Sequence, residues 1–221
     1  MAWTSRAFLL AKTRSGGLTY STSQGKQTEL APLAIARHTS AAMADLAAWT
    51  NAIERARRYA PFLKRSLNRL PDLADILAQG EGEKALQWAH EHGSHEDVGV
   101  ALRRERLALA TALAVGDLAG AFPLSRVVGE LTSFADRALD RAIRTTISER
   151  TSEDSVRGFL ALALGKQGAG ELNYSSDIDP ILLYDPETLL HRAKDDAGEA
   201  AQRYTRRIVK LLSENTGEGY V

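Results

Sequence analysis

The sequence predicts an α+β protein in which a mostly helical N-terminal region is followed by a short α/β unit. Three observations predict it. Apolar residues recur at helical spacing from about residue 33 to residue 150. Near Val156 that spacing gives way to two short apolar runs, residues 158–164 and 178–184, separated by a glycine-rich stretch. Helical spacing then returns over residues 195–215. A period near 3.6 marks helices, whereas a short apolar run bounded by turn residues suits a buried strand.

Taken in order, residues 1–30 are set apart by composition. The first acidic residue is Glu29, and Arg6, Lys12, Arg14 and Lys26 lie among Ser, Thr and Gly. That composition is like a transit peptide. The plainer expectation is a disordered tail or a start codon placed too early. The apolar run at residues 7–11 is too short for a secretory h-region.

Residues 31–155 form the predicted helical domain, rich in the strong helix formers Ala, Leu, Arg and Glu. Pro61 and Pro71 are placed to start or separate helices, and Gly80 and Gly82 mark a loop. Pro123 suits a turn, with Ser125 as the expected N-cap of the next helix. Leu102, Leu109, Leu113 and Leu118 share one helical face. A second face carries Val127, Val128, Leu131, Phe134, Ala135, Ala138, Leu139 and Ile143. Residues 156–221 form the second predicted domain, and its last residues look like the beginning of a third strand.

Composition excludes several function classes. Lys+Arg and Asp+Glu both number 28, so no global positive field points to nucleic acid. The absence of cysteine excludes disulfides and thiolate metal sites. No apolar run approaches the roughly 18 residues of a membrane span.

The chemistry gathers in GKQGAGELNYSSDIDPILLY, residues 165–184. Asp177 and Asp179 are two apart at the start of a predicted strand, where side chains at i and i+2 share a face. Two carboxylates side by side make a hard-oxygen site suited to Mg²⁺, as nucleotidyl transfer requires. Upstream, Gly165, Gly168 and Gly170 leave backbone free to approach a phosphate. Lys166 adds a positive charge, and Ser175 or Ser176 can donate a hydroxyl. No Lys-Ser or Lys-Thr follows the glycines, so the Walker pattern is absent. Glu171 either orders the loop or faces solvent.

GKQGAGELNYSSDIDPILLYD resembles the signature of the glutamine synthetase adenylyltransferase / adenylyl-removing family, G-K-x-G-x-x-E-L-N-x-S-S-D-I-D-L-I. RYAPFLKRSLNRLPDLADIL and ALRRERLALATALAVGDLAGAFPLSRVVGELTSFADRAL are similar to the helical region preceding that family's first transferase domain. The resemblance covers about residues 55–221. It implies a nucleotidyltransferase domain of polymerase-β-like fold, with Mg²⁺ on Asp177 and Asp179. It also implies ATP/ADP and phosphate as small-molecule partners, glutamine synthetase as protein substrate, the PII signal protein as a further partner, and a cytoplasmic setting. The SSDID form resembles the adenylyl-removing half, which transfers AMP from a tyrosine of glutamine synthetase to phosphate.

Two residues depart from the pattern. Gln167 stands where the family has Leu or Met. Pro180 stands where it has Leu, which predicts an edge strand or a bulge. GEGYV resembles the residues just before the family's third carboxylate, so residues 156–221 are expected to be a domain truncated before that strand, weak or inactive by itself. The competing readings are a uridylyltransferase of PII and a non-catalytic docking or regulatory fragment.

Three basic or metal-like clusters carry expectations of their own. His90, His92 and His95 fit no standard zinc spacing and suit a solvated loop. Arg103, Arg104 and Arg106 read as a solvated helix face. Arg203, Arg206, Arg207 and Lys210 lie on one side of the last helix. There they either approach nucleotide phosphates or pair with Glu199 and Glu214.

Overall fold

Proline punctuates the first helices. The computed structural model describes residues 31–153 and 155–221, with side chains from residue 45 onward, so the expectation for residues 1–30 lies outside the described residues. Helix α1 (Ala31–Tyr59) ends just before Pro61, and Pro61 and Pro71 open α2 (Pro61–Arg69) and α3 (Pro71–Ala78). Proline lacks an N–H and has a fixed φ, so it suits the first helical position, where that N–H would be unpaired anyway. A turn at Gln79 and Gly80 leads to α4 (Gly82–His92).

Helix α5 (Val98–Leu118) begins at Asp97, whose side chain accepts a hydrogen bond from the Val100 amide at 2.9 Å. Ala101, Leu102, Ala108, Leu109, Ala112, Leu113 and Val115 are all buried, so α5 is apolar on more than one face. A helix of that kind belongs in the interior, and α5 packs against α1, α2, α3, α4 and α6. Leu118, predicted to share the buried face, is exposed at the helix end. Helix α6 (Leu124–Thr151) corrects one expectation. Pro123 occupies the N-cap position and no side chain caps the helix, which places Ser125 inside the first turn. Proline's extended φ and ψ end the preceding turn without a hydroxyl.

The α/β unit follows as β1 (Phe159–Ala163), α7 (Gly165–Ala169), β2 (Pro180–Tyr184) and α8 (Ala197–Ser213). The strands pair antiparallel, from Phe159 opposite Tyr184 to Ala163 opposite Pro180. In a sheet of two strands each is an edge, so the missing N–H of Pro180 at the first position of β2 is tolerated. Phe159 is buried and meets Tyr204 of α8 edge to face, 6.2 Å between ring centroids. The other sheet face exposes Leu160, Leu162, Ile181 and Leu183.

A third strand does not form among the described residues. The chain instead folds back in a single bridge between Thr216 and Gly219. One hydrophobic core runs through α1–α6 and on to Phe159, Leu189, Leu190, Tyr204 and Ile208, so it crosses the expected boundary at residue 155. Among the described residues no helix is long and apolar enough to cross a membrane.

Candidate active site

The Asp-Ile-Asp segment lies in the connection immediately before β2, which begins at Pro180, two residues later than expected. Exposure nevertheless alternates as in a strand. Asp177, Asp179, Ile181 and Leu183 are exposed, whereas Ile178, Pro180 and Leu182 are partly buried. The parity inferred from i, i+2 spacing therefore begins ahead of the ladder. Asp177 and Asp179 have no ion pair or hydrogen bond among the described residues. Two exposed carboxylates without protein cations are chemically free to take a divalent ion. Among the described residues no third acidic or histidine side chain completes a cluster with them.

The glycine stretch is not an open loop. Residues 165–169 wind into the short helix α7, closed by Gly170 in a left-handed conformation at φ 76°. A Cβ at Gly168 would sit 2.6 Å from the Ala163 carbonyl oxygen, so that glycine lets α7 press against β1. Its missing side chain serves packing first, not the phosphate approach expected of it. Gly165, Lys166 and Gly170 remain exposed beside it.

The loop between α7 and β2 is fastened to α6. Gln167, 4% exposed, donates from Nε2 to Asp136 at 2.9 Å, and the Leu172 amide donates to the Thr132 hydroxyl at 3.3 Å. Asn173 folds the serines over. Its side-chain oxygen accepts from the Ser175 amide at 3.0 Å, and its own amide donates to the Ser176 hydroxyl at 3.0 Å. The Glu171 side chain faces solvent.

Beneath the carboxylates lies an apolar cavity of about 330 Å³. Phe134 and Leu131 of α6, Leu182 of β2, and Ile208 and Leu212 of α8 form its walls, with Ser176 and Asp177 also lining it. Tyr220 and Val221 line it as well. Tyr174 is partly buried in the same wall. Its hydroxyl lacks a hydrogen-bond partner of ordinary geometry although the Asp117 carboxylate is near. Burial, reinforced by Asp117, pushes its ionisation well above the usual phenol range.

The basic residues resolve differently from their sequence reading. Arg103 is 4% exposed, not solvated, and donates to the Leu211 carbonyl at 3.0 Å and to the Glu214 carbonyl at 2.6 Å and 3.0 Å. Arg104 pairs with Glu218 at 3.3 Å, and Arg106 lies over the Tyr220 ring at 3.8 Å. These α5 arginines hold the C-terminal segment. Spacing alone misplaced them because their partners lie more than a hundred residues away.

Arg203, Arg206, Arg207 and Lys210 line a separate pocket, on the side of α8 away from Ile208, Val209 and Leu212. They do not approach Asp177 and Asp179. Of the two expected acidic partners, Glu199 pairs with Arg203 at 3.3 Å. The Glu214 carboxylate pairs with none of them, and Arg207 instead pairs with Glu149 through two bonds of 2.7 Å and 3.0 Å. Among the described residues the histidines join no cluster that could hold a metal ion. His90 meets Glu105 at 2.9 Å, His92 stacks on Trp88, and His95 accepts from the Asp97 amide.

Fold and site together define a helical region joined to a nucleotidyltransferase-like α+β unit. Comparison with known proteins specifies it further. A family model described as "Glutamate-ammonia ligase adenylyltransferase" matches residues 40–221, and the chain belongs to that family. Among curated relatives, it is 37% identical over 131 residues to the bifunctional glutamine synthetase adenylyltransferase/adenylyl-removing enzyme of Rhizobium meliloti (strain 1021), covering 54% of this chain and 13% of the relative. The enzyme of the same name from Caulobacter vibrioides is 31% identical over 220 residues, covering 89% of this chain and 22% of the relative. That of Bradyrhizobium sp. (strain ORS 278) is 35% identical over 162 residues, covering 67% and 16%. The chain thus spans less than a quarter of the length of these relatives.

Proposed function

We propose that the chain carries the carboxylate pair of a nucleotidyltransferase acting on glutamine synthetase, and that its reaction is removal of AMP from an adenylylated tyrosine. The supporting observation is the pair Asp177 and Asp179, exposed and without a protein cation, just ahead of Pro180, which pairs with Ala163 at the end of β1 before α7. The SSDID form of the motif favours the removing direction over addition.

In this reading a phosphate oxygen forms a bond to the α-phosphorus as the bond to the tyrosine oxygen breaks. The products are ADP and a tyrosine hydroxyl, which takes up the proton released by phosphate. Asp177 and Asp179 would hold Mg²⁺, which when bound neutralises phosphate oxygens and lowers the cost of charge developing there. Lys166 adds a positive charge at the same edge. Gly165 and Gly170 keep side chains out of the way of the nucleotide, Gly168 lets α7 close on β1, and Ser175 and Ser176 offer hydroxyls. No protein nucleophile is needed.

The test uses glutamine synthetase adenylylated on tyrosine, with labelled phosphate. Label should appear in ADP, and Asp177→Asn, made in the chain and at the matching position of a full-length relative, should abolish it. Label incorporation at the parental rate in the variant would overturn the metal role. Label passing from UTP to PII instead would favour the uridylyl reading.

A second reading, a docking and regulatory piece without catalysis of its own, is favoured by one observation. Among the described residues the carboxylates number two, with no third group joining them. ADP formation by the 221-residue chain above background sinks it.

A further inference from the structure

The last turns of α6, the segment after Leu190 and the outer side of α8 enclose a pocket of about 510 Å³. Six cationic side chains line it: Arg150, Arg192, Arg203, Arg206, Arg207 and Lys210. One lining carboxylate, Glu149, is spent on Arg207 through a two-bond pair. Asp195 bridges Arg150 at 3.1 Å and Arg203 at 3.0 Å, and Glu199 meets Arg203 at 3.3 Å.

That leaves Arg192, Arg206 and Lys210 with no carboxylate among the described residues. Arg192 donates to the Arg150 carbonyl, Arg206 to the Gln202 side chain, and Lys210 to nothing. Three like charges held around one hollow repel each other, and the neighbouring carboxylates Glu149, Asp195 and Glu199 are engaged with Arg207, Arg150 and Arg203 instead.

A second observation points the same way. Thr146, 1% exposed, is part of the wall, and its hydroxyl has no hydrogen-bond partner. The Nε atoms of Arg150 and Arg203 are buried and equally without partners, and the Arg203 contact with Asp195 lacks hydrogen-bond geometry. Buried donors without acceptors carry a desolvation cost that an oxyanion in the pocket removes. Guanidinium groups match the spacing of phosphate oxygens in paired bonds, and an ammonium adds a point charge.

We propose that this pocket binds a phosphate-class oxyanion, either free phosphate or the phosphate of a nucleotide, at a site separate from Asp177 and Asp179. A compact anion fits better than an acidic polypeptide, because the cations surround a hollow whose wall holds the unpartnered donors. Binding there would tie the end of α6 to α8, whose opposite side lines the cavity beneath the carboxylates. The site needs no divalent ion, so it stands independently of the proposed reaction.

The experiment is calorimetric titration of inorganic phosphate, and separately of ADP, into the 221-residue chain without divalent ions. Parallel titrations use the triple variant Arg192→Gln/Arg206→Gln/Lys210→Gln and the double variant Asp177→Asn/Asp179→Asn. Thermal melting without ligand checks that each variant is folded. Saturable binding is expected in the parent and unchanged in the aspartate variant. The triple variant should weaken it by about tenfold or more, the scale of one lost charge-assisted contact. Tighter binding of ADP than of phosphate, lost in the same triple variant, assigns the source as a nucleotide. Absence of saturable binding in the parent, an unaffected triple variant, or loss confined to the aspartate variant each overturns the proposal.

Discussion

Arg103 of α5 caps the C-terminus of α8 by donating twice to the Glu214 carbonyl and once to that of Leu211. The last carbonyls of a helix have no partner within it, and a cation there also complements the helix dipole. Because Arg103 is buried, its charge was taken out of water to do this. Arg69 and Arg104 add contacts to Glu218, so helices from the first region hold the segment that follows α8.

Arg103→Met should therefore cost about 2–3 kcal/mol of unfolding free energy, since bonds from a charged donor are lost and buried carbonyls are left unpaired. Arg104→Met, removing a half-exposed pair, should cost well under about 1 kcal/mol. Urea unfolding of the two variants checks the ranking. Equal losses would show that Arg103 is no more than a surface charge.

Gln167 presents the opposite case, a buried polar side chain with only one end satisfied. Its Nε2 reaches Asp136 but its Oε1 has no partner. Gln167→Met, a replacement of similar volume that restores an apolar residue, removes the unsatisfied oxygen and leaves the exposed Asp136 to water. Stability should rise by about 1 kcal/mol, read as a higher urea midpoint at unchanged slope. A lowered midpoint would show that the bond to Asp136 outweighs the unpaired oxygen.

Local information explains which features were readable in the sequence. Pro61 and Pro71 end and begin helices through their own rings. The alternation from Asp177 to Leu183 is a property of a few neighbouring residues. Both are therefore visible without a fold. Arg103 was misplaced because an Arg in helical spacing ordinarily faces water, and only the distant end of α8 makes its burial tolerable. Helix α7 was unreadable for a related reason. Gly165, Gly168 and Gly170 are poor helix formers, and what holds the turn is contact with Ala163 and Asp136. The separation of Arg206 and Lys210 from Asp177 likewise depends on how α8 is rotated against α6, which no spacing along α8 reveals.

Gly168 tests the packing role of the glycine stretch directly. Adding a methyl group there sets it 2.6 Å from backbone, which cannot move as a flexible side chain would. Gly168→Ala should cost about 1–3 kcal/mol. At Gly129, in the second turn of α6, a Cβ would meet nothing within 4 Å. Gly129→Ala should stabilise by up to about 1 kcal/mol through its better helix propensity. Melting temperatures moving in opposite directions support both assignments, and a neutral Gly168→Ala would remove the close approach of α7 to β1.

Tyr174 makes a pH-dependent prediction. Burial first, and the Asp117 carboxylate second, favour its neutral form in the folded chain and raise its ionisation above the ordinary value of 10.0. Below that value both folded and unfolded chains carry the neutral phenol, and the group leaves stability independent of pH. Above it the unfolded chain releases the proton while the folded chain still holds it. The unfolded state then binds fewer protons, so stability falls as pH rises. Tyr204, also raised chiefly by burial, adds a decline of the same sign. Tyr174→Phe should make the decline shallower without abolishing it, and at neutral pH it should cost little, because the hydroxyl it removes meets Asp117 without ordinary hydrogen-bond geometry. Urea unfolding between about pH 8 and about pH 11 reads the effect. If parent and variant lose stability in parallel, Tyr174 ionises as freely in the folded chain as in the unfolded one.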